Sequence, residues 1–205
     1  VRHSLLPPIV EFGTAARLLD DAADAFLKRD FVAARELVEQ ANIPEISVHA
    51  NKVVGKMTSE VHRNTRRPKC LPKEERDPTR MPSRKEQNAI FQRDGWRCRF
   101  CNIRVISKEA RSVICKAFLI ESKWTSLNQQ RHSSLYAMAS SLDHVHPHGR
   151  GGKNTVENFV TACYCCQFGR GEWTLSEVGI SDPRERPPIV DSWDGLSRII
   201  QKPHK

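Results

Sequence analysis

The sequence predicts an α+β protein: a helical hairpin region at the N-terminus, followed by a zinc-stabilised core that carries a helical insertion. Three observations lead there. Apolar residues recur at helical spacing between about residues 14 and 42. Two cysteine pairs, Cys98/Cys101 and Cys163/Cys166, each have two intervening residues. Between the pairs, a short β-like run at 140–147 enters a glycine-rich loop.

The hairpin comes first. Thr14 is placed to cap a helix whose apolar positions are Ala15, Leu18, Leu19, Ala22, Ala25 and Phe26, and Asp30 to cap a second with Phe31, Ala34, Leu37, Val38 and Ala41. The small residues and the Arg29-Asp30-Phe31 corner are similar to a single tetratricopeptide repeat. Such repeats need several copies to bury a continuous core, and no second copy is present. The hairpin is therefore expected to pack on the rest of the chain, or to mediate self-association or contact with a protein partner. A third helix is compatible with 46–64, which completes a helical N-terminal region over 1–67.

Residues 68–82, with Pro68, Pro72, Pro78 and Pro82, predict a basic linker. The domain then runs over 83–205. Residues 84–93 predict a short helix before the first cysteine pair, and Ile103-Arg104-Val105-Ile106 a first core strand. An insertion over about 107–139 follows, with Ser107 capping one helix (Val113, Ile114, Ala117, Phe118, Ile120) and 128–139 supplying another. Beyond Gly171 lies a tail with Trp173, Trp193 and several prolines, whose tryptophans are expected to pack it onto the domain.

Charge is uneven along the chain. The net value is +9, and residues 51–150 carry 21 Lys and Arg against 9 Asp and Glu, whereas 1–50 carry 5 against 8. A basic middle segment leading into the core favours a polyanion, since each Lys or Arg laid against phosphate releases condensed counterions. No run approaches the roughly 18–20 apolar residues of a membrane span, so no membrane partner is expected.

Four thiolates suit a structural Zn²⁺, which is tetrahedral and favours sulfur. Disulfides are disfavoured by the odd total of seven cysteines and by the absence of a hydrophobic signal segment. Cys98, Cys101, Cys163 and Cys166 are the expected ligands. Cys165 offers a different fourth ligand, which the CxxC spacing makes the poorer choice. Cys70 and Cys115 are left as ordinary side chains.

The frame encloses Asp143-His144, the loop Gly149-Arg150-Gly151-Gly152-Lys153, and Asn158; Gln167 follows its last cysteine directly. Strand alternation puts Asp143 and His144 on opposite faces. Together with the lead-in from Pro82 to Cys98, this arrangement resembles the HNH endonuclease family from about Ser83 to Gly171. The resemblance implies a ββα-metal core and a metal-dependent endonuclease that hydrolyses phosphodiester bonds in nucleic acid, with double-stranded DNA as the expected partner. His144 would then be the general base, a role that suits an imidazole with an ordinary pKa near 6.5. Asp143 would be a ligand of a catalytic Mg²⁺ or Mn²⁺, and Asn158 would fix the loop. Arg150 and Lys153 are candidate phosphate contacts. His146 and His148 add two imidazoles to the same stretch.

The chain departs from the family at Gln167, where Asn or His is usual. A Gln carbonyl can ligate the same ion, but its extra methylene moves the oxygen and adds a rotamer to freeze. The alternative is therefore a zinc-stabilised nucleic-acid-binding or interaction module with weak or lost catalysis. The resemblance places the protein in the cytoplasm, of prokaryotic or phage origin.

Overall fold

The computed structural model describes residues 5–54, 68–78 and 81–200. Among the described residues it combines helices, most of them short, with one two-stranded antiparallel sheet. Among the described residues no helix is long and apolar enough to cross a membrane.

The N-terminal hairpin forms from the expected faces. Helix α1 spans Glu11–Leu27 and α2 spans Phe31–Gln40. Ala15, Ala16, Leu19, Ala22 and Ala23 bury against Ala34, Val38 and Ala41; small side chains let the two helices approach closely. Arg29 turns the chain with φ +62°, and the Asp30 carboxylate accepts from the Ala33 N–H at 3.0 Å, as its N-cap position predicts. The first helix begins earlier than Thr14, at Glu11, and has no side-chain cap. Helix α3, Pro44–Val53, starts with Pro44, whose missing N–H costs nothing at a first helical turn. The remainder of the predicted third helix, 55–64, lies outside the described residues.

The hairpin is not a separate module. Helix α3 packs against α6 (Ser133–Ala137) and α7 (Tyr164–Arg170). Side chains of the insertion satisfy carbonyls at the end of α2 that a helix cannot satisfy itself: His132 Nε2 bonds the Val38 carbonyl at 2.8 Å and Ser134 Oγ donates to that of Ala41 at 2.5 Å. Arg198 closes the far side on Asp20 and Asp24, at 2.5 and 2.9 Å.

The insertion departs from expectation in two places. Residues 103–106 form isolated bridges, Arg97 with Arg104 and Ile106 with Ala139, and not a strand of the sheet. Pairing ends there because Ser107 immediately caps α5, Lys108–Ala117, its Oγ accepting from Ala110 N at 3.0 Å. The helix predicted over 128–139 is broken into a short turn at 128–130 and α6, which starts where His132 Nδ1 accepts from the Leu135 N–H. Ile120, assigned to the apolar face of α5, lies beyond its end and is exposed.

His132 carries a testable consequence. Its ring is fully buried and held as the Nε2–H tautomer between Val38 and Leu135, and burial pulls its pKa down to about 4. The unfolded chain takes up this proton below about 6.5, while the folded chain resists until about 4. Stability contributed by the neutral ring is therefore present above pH 6.5 and lost as pH falls towards 4. Between pH 6.5 and 5 the wild type should lose about 1.6 kcal/mol more than His132→Gln, read from urea midpoints. Parallel losses would show that the proton uptake lies elsewhere.

The remaining elements frame the sheet. Helix α4, Arg84–Arg93, opens on a capping box between Ser83 and Glu86. Asp94, just past its end, accepts from the Thr161 N–H at 2.7 Å and thereby ties the helix to the sheet. Strands β1, Ser140–His144, and β2, Phe159–Cys163, pair with Ser140 opposite Cys163 and His144 opposite Phe159. Helix α7 follows β2 without a loop and packs on both strands. The tail returns over the core: Trp193 is buried and its Nε1–H donates to the Val105 carbonyl at 2.9 Å.

Candidate functional site

The two cysteine turns meet at the junction of β2 and α7. The sulfurs of Cys98, Cys101, Cys163 and Cys166 all lie within 4.8 Å of one another. Among the described residues this is the one group of three or more His, Cys, Asp and Glu side chains close enough to hold an ion. The first pair sits on a tight turn in which Asn102, at φ +65°, donates its N–H to the Cys98 carbonyl at 2.8 Å. The second pair is held by helix initiation, because the Cys163 sulfur is the N-cap of α7 and accepts from the Cys166 N–H at 3.4 Å. Cys165 turns into the apolar core.

Four soft donors in one small volume fit a structural ion such as Zn²⁺. The four thiols also act strongly on one another. Burial acts to raise Cys98, but hydrogen bonds from Cys101, Cys163 and Cys166 outweigh it and hold that thiol well below its ordinary range. The bonds that Cys166 makes with Cys101, Cys163 and Cys98 push Cys166 well above it. Thiols that bind an ion must give up their protons, so metal uptake at these four sulfurs would release protons.

Beside this cluster lies a cleft of about 270 Å³, lined by Asp143, His144, His148, Gln167 and Glu172 among others. Asp143 and His144 both line it, although they are adjacent on β1. The His144 ring packs on Phe159 at 4.2 Å and stands 5.5 Å from that of His148. Gln167 reaches the cleft from α7 and lies near the Leu142 carbonyl at 3.5 Å.

Asn158 does not line the cleft; it braces the loop beside it. Its carboxamide oxygen accepts from the His146 N–H at 2.8 Å, and its nitrogen donates to the His146 and Lys153 carbonyls at 3.1 and 2.8 Å. At Gly152 the loop runs so close to the His146 carbonyl that a Cβ would lie 1.8 Å from its oxygen. His146 is exposed and bonds the Arg150 carbonyl within the loop. Arg150 is paired with Glu177 at 3.3 Å, so a phosphate would have to share it; Lys153 is exposed.

The stretch expected as a linker is docked here where it is described. Leu71 N donates to the Gly149 carbonyl at 2.8 Å, the Asp77 carboxylate accepts from Asn154 N at 2.9 Å, and His148 Nε2 bonds the Asp77 carbonyl at 2.8 Å. Residues 68–78 thus form a strap along the glycine loop.

Two residues of the site escape sequence reasoning. Glu172 lines the cleft and accepts from the Gly149 N–H at 3.0 Å. Arg170, wholly buried, grips Asp143 with two hydrogen bonds, from Nε at 2.8 Å and from a terminal nitrogen at 2.7 Å, and also bonds the His144 and Trp173 carbonyls. Burial raises the Asp143 carboxyl above its ordinary value, and Arg170 pulls it back. Only part of the signal lies in the sequence: Arg170 falls one turn beyond Gln167, but the burial of Asp143, which makes its carboxylate need a cation, is a tertiary fact.

Comparison with protein families, with characterised proteins and with solved structures yields no match to this chain.

Proposed function

We propose that this protein is a metal-dependent endonuclease of the HNH type, hydrolysing phosphodiester bonds in nucleic acid. The observation that carries this is the convergence of Asp143, His144 and Gln167 on one cleft, beside a four-cysteine cluster and within a ββα succession. Asp143 and Gln167 would hold the catalytic Mg²⁺ or Mn²⁺. Arg170 occupies one lone pair on each Asp143 oxygen, and a carboxylate has about four, so donors remain. One carboxylate and one amide oxygen make an open site, as suits Mg²⁺, which keeps several waters.

The bound ion supplies Lewis acidity at the phosphate and stabilises the departing 3′ oxygen. His144 would take the proton of the attacking water; the water oxygen bonds to phosphorus, the bond to the 3′ oxygen breaks, and that oxygen takes a proton from solvent. The products are 5′-phosphate and 3′-hydroxyl ends. Asn158 and the strap hold the loop against the cleft and act through position.

A second reading, a nucleic-acid-binding module with weak or lost catalysis, draws on the Asp143–Arg170 pair and on Gln167. Arg170 already neutralises the carboxylate that would attract an ion, and Gln is a longer ligand than Asn. Cleavage of plasmid and oligonucleotide, assayed with zinc-loaded protein in Mg²⁺ and in Mn²⁺, separates the two. The nuclease reading expects turnover that depends on the added ion, and a loss of rate in Gln167→Asn. Salt-sensitive binding without turnover, or a large gain of cleavage in Gln167→Asn, favours a decayed site.

A further inference from the structure

We infer that Glu172 is a third protein ligand of the divalent ion, beside Asp143 and Gln167, and that its carboxylate supplies the negative charge that draws the ion into the cleft. This rests on the nuclease reading for the ion itself, and it adds a residue to the ion's site.

The course of the chain after the last cysteine puts Glu172 there. Helix α7 turns Gln167 and Arg170 towards β1, Gln167 to the Leu142 carbonyl and Arg170 to Asp143. Gly171, at φ +52°, ends the helix and lines the cleft, and the turned chain brings Glu172 back to the cleft wall. There its Oε2 accepts from the Gly149 N–H at 3.0 Å, which fixes the carboxylate and leaves Oε1 without a hydrogen-bond partner among the described residues. Gly149 permits this approach, because a Cβ there would lie 2.6 Å from Oε2.

Charge decides what Glu172 does. Arg170 grips Asp143 through hydrogen bonds of 2.8 and 2.7 Å, so that pair brings no net charge to the cleft, and Gln167 is neutral. A dication entering such a cleft would exchange water for lone pairs alone, and an uncompensated charge out of water is costly. Glu172 changes that count. It is half-buried and forms no ion pair among the described residues, and the arginines nearby are engaged, Arg170 on Asp143 and Arg150 on Glu177. One carboxylate on the cleft wall is therefore left without a cation, close enough for its charge to act on Asp143. Two carboxylates and a carboxamide oxygen are hard donors of the kind that Mg²⁺ and Mn²⁺ take, with waters in the remaining positions.

A mere brace for the glycine loop would need only the hydrogen bond to Gly149. Glu172→Gln retains that bond, since a carboxamide oxygen accepts the same N–H, and removes the charge.

The test is a Mn²⁺ titration of the zinc-loaded protein without nucleic acid, with the free ion read by electron paramagnetic resonance. Glu172→Gln should weaken Mn²⁺ binding at least about tenfold, the scale on which even a residue supporting a metal ligand counts, with zinc content and urea midpoint unchanged. Glu172→Asp, which keeps the charge, should recover part of the loss. Gly149→Ala, which displaces the carboxylate, should weaken binding by itself and add little to Glu172→Gln. Mn²⁺ binding that falls in Gln167→Ala and is unmoved by Glu172→Gln would overturn the assignment and leave the ion site to Asp143 and Gln167. So would a fall in affinity that comes only with a fall in the urea midpoint, the mark of a loop brace. A zinc-loaded wild type that takes up no Mn²⁺ would remove the assignment and the metal-dependent nuclease together; Glu172-dependent uptake without cleavage would remove the nuclease and leave the ion site.

Discussion

Cys163→Ser is expected to abolish zinc binding and to leave the C-terminal core unfolded. Cys163 is a member of the four-sulfur cluster, the N-cap of α7 and the last residue of β2 at once. Its sulfur lies 3.8 Å from that of Cys101, 62 residues earlier in the chain. A structural zinc contributes about 10–16 kcal/mol of binding free energy, against a net stability of about 5–15 kcal/mol for a whole domain, so losing the ion exceeds what the rest of the fold can offset. Removal of zinc by a strong chelator should have the same effect. Cys115→Ser is the control: that thiol lies outside the cluster, on the Ser122 carbonyl, and its loss should leave zinc stoichiometry at one and the fold intact. Zinc content and far-ultraviolet circular dichroism read both variants. A folded, metal-free Cys163→Ser protein with an unchanged urea midpoint would show that the cluster is dispensable.

What was legible in the sequence was local or metal-like. Helical spacing and Asp30 specify the hairpin because a turn and its cap are set by neighbours. The cysteine spacing specifies the cluster because CxxC turns can be read without knowing where the chain goes in between. Residues 103–106 were misread because Ile103, Val105 and Ile106 are all buried, and a short apolar run does not say whether it pairs over one residue or five. The strap was hidden for a different reason. Proline-broken polar sequence describes a segment without regular structure, and it says nothing about what that backbone bonds to. Arg170 belongs to the same class of miss, since its role is fixed by the burial of Asp143, a tertiary fact.

His144→Ala is expected to lower ion-dependent cleavage about 10²- to 10⁴-fold, the usual worth of a positioned general base, which corresponds to about 3–5 kcal/mol of barrier. Zinc content should not change, because His144 lies outside the four-sulfur group. The variant also removes a ring that packs on Phe159, so a fall in rate by itself would not separate chemistry from packing. Two further measurements do. The urea midpoint reports the packing loss directly, and imidazole added to the assay should restore part of the lost rate if the missing function is proton transfer. His148 provides the internal comparison. It shares the cleft at 5.5 Å, but its Nε2 is engaged by the strap carbonyl of Asp77, so His148→Ala should cost much less than His144→Ala. If the two losses were reversed, with imidazole rescuing the His148 variant alone, the base would be His148, and the strap would be the element that orients it.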